Sequence, residues 1–453
     1  MPQLPRIAIG TTQPDTPGEA LCWALLKSLC DRGLHVQHFL SRACFSPHDG
    51  ARAASGNSSR HLDSWLMSPS ACRATFLRGA RDAEIAVIEG QFRTSHTAVS
   101  DGASLPDTCV GGSLEALCDW LDLPRLAIVD VSKLSGCLVP DRPAKLDAVL
   151  LDRFTDERHF RYWQANLEAL WRVPVVGGLA DLAALRRRID DLPPGAAPGA
   201  ELCGELARRL MQYTDLAAIQ RLAAARAFPA SCYASSPCAA RPVRLRIAMA
   251  YDEAFNCYFP DTLDLLEMLG ATVVDFSPLR DERLPDNVDV VYFGCGHPER
   301  CAEVLAANQC MLTSIRRHLC SGRRLYGEGG GLAYLCQYIE TPTGASAPML
   351  GVLPATARLA QHPHGPRPVE LTLAHGNWLA EKGTTLRGYL NGNWQIKPSS
   401  PLRQYAAAPE HRLDLVGQYQ AIGSRVHFNF AAQPEFLARF IQPHSTGSRS
   451  APV

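Results

Sequence analysis

The residues Leu325-Tyr-Gly-Glu-Gly-Gly-Gly-Leu-Ala-Tyr-Leu335 hold the clearest chemical signal in this chain. An apolar strand pattern enters a glycine-rich turn and leaves as an apolar helix pattern. That is the layout of a nucleophile elbow, which lifts one side chain over a sheet edge to attack a carbonyl. An acyl-transfer enzyme would carry Ser or Cys at the apex. Here the apex is Gly329, which has no nucleophilic atom and no proton to give up. The pattern predicts the support of a catalytic site without its reacting atom.

Such a turn needs a sheet behind it, and the chain supplies two sets of strands. Arg6-Ile-Ala-Ile-Gly10, Leu34 to Leu40, Ala83 to Glu89, Arg125 to Val131, Ala148 to Leu151 and Val173 to Val176 are short, strongly apolar runs. Amphipathic stretches separate them, including Glu19 to Asp31 and Glu201 to Ala225. Apolar strands alternating with helices predict βαβ units and a parallel sheet. Phe228 to Pro242 is rich in Pro, Ser and Ala without periodicity, and reads as a boundary. A second series follows: Leu245 to Ala250, a helix over Thr262 to Leu269, Thr272 to Phe276, Val288 to Phe293, the elbow, a strand over Gly423 to Phe430 and a helix over Pro434 to Ile441. Arg387 to Trp394 reads as a hairpin turning at Asn391-Gly392.

Composition narrows the function classes. The chain has 453 residues, 46% hydrophobic and 20% charged, with Lys+Arg and Asp+Glu both 45. Two or three domains are the expectation at that length, and zero net charge gives no field for nucleic acid. No apolar run approaches the roughly 20 residues that span a bilayer, and the N-terminus does not read as a signal peptide. A cytoplasmic protein is expected. The 16 cysteines show no C-x-x-C pair, so most are read as reduced, buried thiols. Cys295, Cys310, Cys320 and Cys336 fall around the elbow and are noted as possible ligands. His362-Pro-His364 is a further metal candidate in a Pro-rich loop, read foremost as solvated.

Four motifs in order resemble the cobyrinic acid a,c-diamide synthase family, whose members amidate tetrapyrrole carboxylates with ATP and glutamine. They are Ala248-Met-Ala-Tyr-Asp-Glu-Ala-Phe-Asn-Cys-Tyr258, Phe276-Ser-Pro-Leu279, Gly294-Cys-Gly-His-Pro-Glu299 and the elbow. In the first half, Gly56 to Trp65 resembles the family's substrate-domain loop, with Arg60, Leu62, Asp63 and Trp65 matching. Val87-Ile-Glu-Gly90 and Gly111-Gly-Ser113 resemble family runs as well. The resemblance implies an N-terminal P-loop-type synthetase domain and a C-terminal class I glutamine-amidotransferase-like domain. It implies substrate-binding roles for Arg60, Asp63, Trp65 and His297, and backbone oxyanion donors at Gly294, Gly296 and Gly330.

The departures from the family are specific. The family's thioester-forming cysteine aligns with Gly329, and Cys336 is placed on the following helix, too far along to replace it. His427 matches the family's base and is left vestigial, while Asn429 replaces a second histidine. A P-loop needs G-x-x-x-x-G-K-[ST], yet Gly10 to Glu19 contains Pro14, Asp15 and Pro17 and no lysine before Lys27. Glu89 matches an acidic residue that the family sets near Mg²⁺, and is the one metal candidate there. Ser46 stands where the family has Asp.

The sequence therefore predicts an α/β protein of two doubly wound domains, a P-loop-like parallel sheet over 1–227 and an amidotransferase-like sheet over 244–443. A linker at 228–243 and a tail at 444–453 complete it. The expected function is a homologue without glutaminase or P-loop ATP chemistry that binds a tetrapyrrole (corrinoid, sirohydrochlorin type or haem) or serves an active paralogue or its own dimer. ATP and Mg²⁺ are not expected. The alternatives are tetrapyrrole amidation with ammonia from solution or another subunit, and haem or metal held by His297 or Cys295.

Overall fold

The computed structural model describes residues 4–13, 16–92, 111–135, 139–227, 244–361, 365–408 and 412–442. The expected linker and tail, Pro14, Asp15 and the run 362–364 lie outside the described residues. The chain divides into two compact α/β units, Met1–Ser236 and Pro237–Val453.

In the first unit the strands are β1 (Arg6–Thr11), β2 (Val36–Leu40), β3 (Arg60–His61), β4 (Ile85–Gln91), β5 (Arg125–Asp130), β6 (Ala148–Phe154) and β7 (Val175–Ala180). They form one seven-stranded sheet in the order β3-β2-β4-β1-β5-β6-β7. Every neighbouring pair is parallel. Ile7, Ala8 and Ile9 of β1 and Val87 and Ile88 of β4 are fully buried, which is why these strands read as unbroken apolar runs. Helix α1 (Glu19–Cys30) has Glu19 in its first turn and Lys27 in its last, each opposing the nearer end of the helix dipole. Its Leu21, Leu25 and Leu26 share a core with Val87 and Leu206.

The single helix expected over Glu201 to Ala225 is instead two, Ala200–Leu210 and Leu216–Ala224. Asp215 makes the break. Its carboxylate accepts from the Ala218 N–H at 2.9 Å, capping the second helix, while its own N–H donates to the Val176 carbonyl at 2.9 Å.

The second unit begins with β8 (Arg246–Ala250), β9 (Thr272–Phe276), β10 (Val290–Phe293) and β11 (Arg324–Glu328). With Ala421–Ser424 they form a parallel series in the order β9, β8, β10, β11, Ala421–Ser424. Arg412–Gln418 and Arg403–Ala408 extend that edge antiparallel. Two smaller sheets, of four and three strands, are built from the chain between β11 and Arg403 together with Val426–His427.

Three local expectations are corrected. Cys336 does not lie on the helix after the elbow; that helix stops at Leu335 and Cys336 opens the strand Cys336–Glu340. Tyr338 and Ile339 suit a pleated surface, and this strand pairs with Leu353–Leu359. Arg387 to Trp394 is not a hairpin, because Thr385–Leu390 pairs with Arg367–Thr372 whereas Trp394–Pro398 pairs with Leu353–Leu359. Asn391-Gly392 is a crossing between two sheets. The expected strand over Gly423 to Phe430 breaks at Arg425: Ala421–Ser424 belongs to the large sheet, and Val426–His427 pairs with Tyr389 and Leu390. Asp414 holds the break, accepting from the Ser424 hydroxyl at 2.7 Å and the Arg425 N–H at 3.1 Å.

Candidate functional site

Glu328 ends β11, and the helix Gly330–Leu335 begins two residues later, so Gly329 makes the whole turn. Its φ is +52° and its ψ −109°, backbone that favours glycine. Its N–H donates to the Ser424 carbonyl at 2.8 Å, tying the apex to the neighbouring strand. A β-carbon built on Gly329 would lie 2.9 Å from His427 Nε2 and 3.3 Å from Cys295 Sγ. One on Gly330 would lie 2.6 Å from the Gly296 carbonyl oxygen, so the elbow and the Gly294-to-Pro298 loop touch backbone to backbone. The expected apex is in place, with the base candidate facing it.

The surroundings are dry. His427 and Cys295 are both buried. Burial pulls the imidazole down to about 4, which makes it neutral at pH 7. Burial, and then the nearby Glu328, push the Cys295 thiol well above its ordinary range, so it is a poor source of thiolate. Glu328 is itself buried, accepting from the Tyr326 hydroxyl at 2.7 Å and from the Phe428 N–H at 3.4 Å. Burial raises its carboxyl to about 8 despite those bonds. A neutral acid thus sits one residue before the apex. Asn429 accepts from the Ala431 N–H at 3.0 Å and shapes the turn after His427.

The backbone donors separate. The Gly294 N–H donates to the Tyr258 hydroxyl at 2.9 Å, which withdraws it from the expected oxyanion set and leaves Gly296 and Gly330. His297 is partly buried, with Nδ1 3.0 Å from Glu299 Oε1 and its N–H donating to the Ala254 carbonyl at 2.9 Å.

In the first unit, runs distant in sequence meet beyond the carboxyl ends of β2, β3 and β4. The Ser113 N–H donates to the Ser64 hydroxyl at 2.7 Å, and a β-carbon on Gly112 would lie 2.9 Å from Asp63 Oδ1. Asp63 is buried and accepts from the N–H groups of Ala43 at 2.9 Å, Trp65 at 2.8 Å and Leu66 at 3.1 Å. Its carboxylate holds the loop through these bonds. Arg60 and Trp65 are partly exposed. At the start of α1, Glu19 lies 3.2 Å from His48 Nδ1, and Lys27 pairs with Asp31 at the far end of the helix. Glu89 Oε2 lies 3.1 Å from His38 Nε2.

The comparisons agree with this geometry. Residues 246–434 match the model of the CobB/CobQ-like glutamine amidotransferase domain. Over nearly the whole chain the protein is similar to the cobyrinate a,c-diamide synthase of Syntrophotalea carbinolica, 31% identical over 96% of this chain and 98% of that one. The cobyrinate a,c-diamide synthase of Salmonella typhimurium is 30% identical over 92% of this chain and 93% of its own. The hydrogenobyrinate a,c-diamide synthase of Streptomyces coelicolor is 28% identical over 97% of each. The chain belongs to the cobyrinate a,c-diamide synthase family.

In this member of the family the turn faces the His427 imidazole and carries no thiol at its apex. Among the described residues no helix is long and apolar enough to cross a membrane. Sequence reasoning singled out Gly329, His427 and Glu89. It missed Glu328 as a neutral buried acid, and it missed Cys22 and His38, the neighbours of Glu89. Both stand in apolar helix or strand patterns, where nothing distinguishes them from core residues.

Proposed function

We propose that this protein is a cobyrinate a,c-diamide synthase homologue that does not hydrolyse glutamine, and that its retained task is to bind a tetrapyrrole in the cytoplasm. The observation that carries this is the imidazole of His427 directed at the β-carbon position of Gly329. A γ-glutamyl thioester needs a thiolate on the apex residue; Gly329 carries none, and the neighbouring Cys295 sulfur, 3.3 Å from its β-carbon position, is kept a thiol by burial.

The nucleotide side supports the same reading. A Mg·ATP cradle requires a lysine ammonium and a hydroxyl at the strand-to-helix loop. Glu19 begins α1, Lys27 is engaged with Asp31, and Glu89 is engaged with His38. These residues do not fit the group. Arg60 and Trp65 in the first unit, and separately His297 in the second, remain the candidate side chains for carboxylates.

The test is a pair of measurements on the full chain. Incubation with glutamine, with and without ATP and cobyrinate, is expected to release no glutamate above background. Titration with cobyrinate, sirohydrochlorin and haem is expected to give a saturable visible-absorption shift with one of them, weakened by Arg60→Ala. Glutamate release would overturn the first half, and absence of any shift the second.

Similarity to synthases along the full length of both chains favours one other reading, amidation with ammonia. Product formation from cobyrinate, ammonia and Mg·ATP, read by mass, would establish it and displace the binding-only role.

A further inference from the structure

One cluster in the first unit has no part in the chemistry above. Cys22 stands on α1, His38 on β2 and Glu89 on β4. The strands β2 and β4 are parallel neighbours, with His38 opposite Val87 and Leu40 opposite Glu89. Val87 and Glu89 are two residues apart, so both side chains leave the same face of the sheet. That is the face covered by α1, since Val87 packs in one core with Cys22, Leu25 and Leu26.

The three side chains converge on one point. Cys22 Sγ lies 3.8 Å from His38 Nε2, and Glu89 Oε2 lies 3.1 Å from the same nitrogen. One donor atom from each residue lies within 4.8 Å of the other two, and among the described residues no other His, Cys, Asp or Glu trio does this. A nucleophile–base–carboxylate relay would place the acid on the opposite ring nitrogen from the thiol. Here thiol and carboxylate meet at Nε2, and Nδ1 is 2.8 Å from Ser59 Oγ. An imidazole whose one nitrogen is fixed by a hydrogen-bond partner while the other faces further donors is arranged as a metal ligand. The spacing agrees: Zn–S of about 2.3 Å and Zn–N or Zn–O of about 2.0–2.1 Å put tetrahedral ligand atoms roughly 3.3–3.6 Å apart. The observed 3.1 and 3.8 Å bracket that range.

The donor set also selects the ion. A thiolate with an imidazole and a carboxylate suits zinc-class divalent ions and disfavours Mg²⁺, which takes oxygen ligands. Cys22 and His38 are buried, whereas the Glu89 side chain is 18% exposed and is the member through which solvent reaches the cluster.

We infer that Cys22, His38 and Glu89 bind one zinc-class divalent ion, with water completing the coordination on the Glu89 side. On binding, the Cys22 S–H bond breaks, its proton leaves to solvent and the sulfur electron pair forms the metal–sulfur bond. No electron is transferred.

The test uses the full untagged chain, stripped with chelator and carrying Cys310→Ser and Cys320→Ser to remove two exposed competing thiols. Co²⁺ titration is expected to saturate at one ion per chain, with tetrahedral d–d bands and a thiolate-to-cobalt charge-transfer band, and Zn²⁺ is expected to displace it. Cys22→Ser should abolish the charge-transfer band. His38→Gln should weaken Co²⁺ binding by at least about 10-fold, with circular dichroism confirming that each variant is folded. If Cys22→Ser does not fold, His38→Gln and Glu89→Gln carry the test. A wild-type protein without the charge-transfer band, the same band in folded Cys22→Ser, or unchanged affinity in His38→Gln and Glu89→Gln would each overturn the site.

Discussion

His427 Nε2 stands 2.9 Å from the point where a β-carbon on Gly329 would lie. That separation is shorter than side-chain carbons adopt, so the imidazole occupies space that any larger apex residue would need. The apex and its base candidate are coupled sterically as well as by chemistry.

The coupling predicts a non-additive pair. Gly329→Ala brings a side chain to a φ of +52° and against the ring, at a cost of roughly 1–3 kcal/mol. His427→Ala in the same background should return part of that loss, giving an interaction of at least about 0.5 kcal/mol in a urea-denaturation cycle. Strict additivity would contradict the contact. For the same reason Gly329→Cys alone is expected to leave glutamate release at background.

Glu328 sets a pH dependence of unusual sign for a carboxyl. Its folded value of about 8 is above the ordinary 4.5, so between those limits the folded chain holds a proton that the unfolded chain releases. Stability is then fully expressed below the ordinary value and falls as pH rises from about 4.5 to 8. Glu328→Gln keeps a neutral acceptor for Tyr326 and Phe428, and should flatten this fall by an amount on the order of 3 kcal/mol. Denaturation midpoints at pH 5 and pH 8 measure it; equal slopes in both proteins would refute a protonated Glu328.

His427 acts in the opposite direction. Its folded value of about 4 lies below the ordinary 6.5, so the unfolded chain binds the extra proton. Stability is present above pH 6.5 and is lost as pH falls towards 4. His427→Gln should remove up to about 3 kcal/mol of that acid sensitivity, read as a smaller drop in midpoint between pH 7 and pH 5.

The first unit contains a buried ion pair, Arg186 to Asp152 at 2.5 Å, with both side chains almost inaccessible. Arg186→Met strands a carboxyl that burial already raises to about 6, and should cost about 3–5 kcal/mol. Arg186→Met with Asp152→Leu should recover most of it in thermal denaturation. A double variant as unstable as the single one would place the cost elsewhere.

The sequence exposed the sheets because parallel strands are buried on both faces and spell themselves as apolar runs; Arg6 to Gly10 and Arg125 to Asp130 needed no other information. It hid the sheet crossings. Asn391-Gly392 carries the dipeptide of a hairpin, and only the pairing of Trp394–Pro398 with Leu353–Leu359 reveals a different partner. Asp63 was visible as a family match, but not as a residue whose carboxylate serves three backbone N–H groups. Cys22 and His38 were invisible for a related reason: their meaning lies in a convergence across α1, β2 and β4, and no local spacing encodes it.

The elbow is braced by contacts that never involve the apex side chain: the Gly329 amide on Ser424, and Gly330 against the Gly296 carbonyl. A codon for cysteine and a codon for glycine differ by one base. In a turn built this way, one change from cysteine to glycine removes the apex sulfur while the backbone contacts stand, whereas the reverse change must also displace His427. The apex side chain is a removable part of this turn, because the brace that outlasts it is backbone.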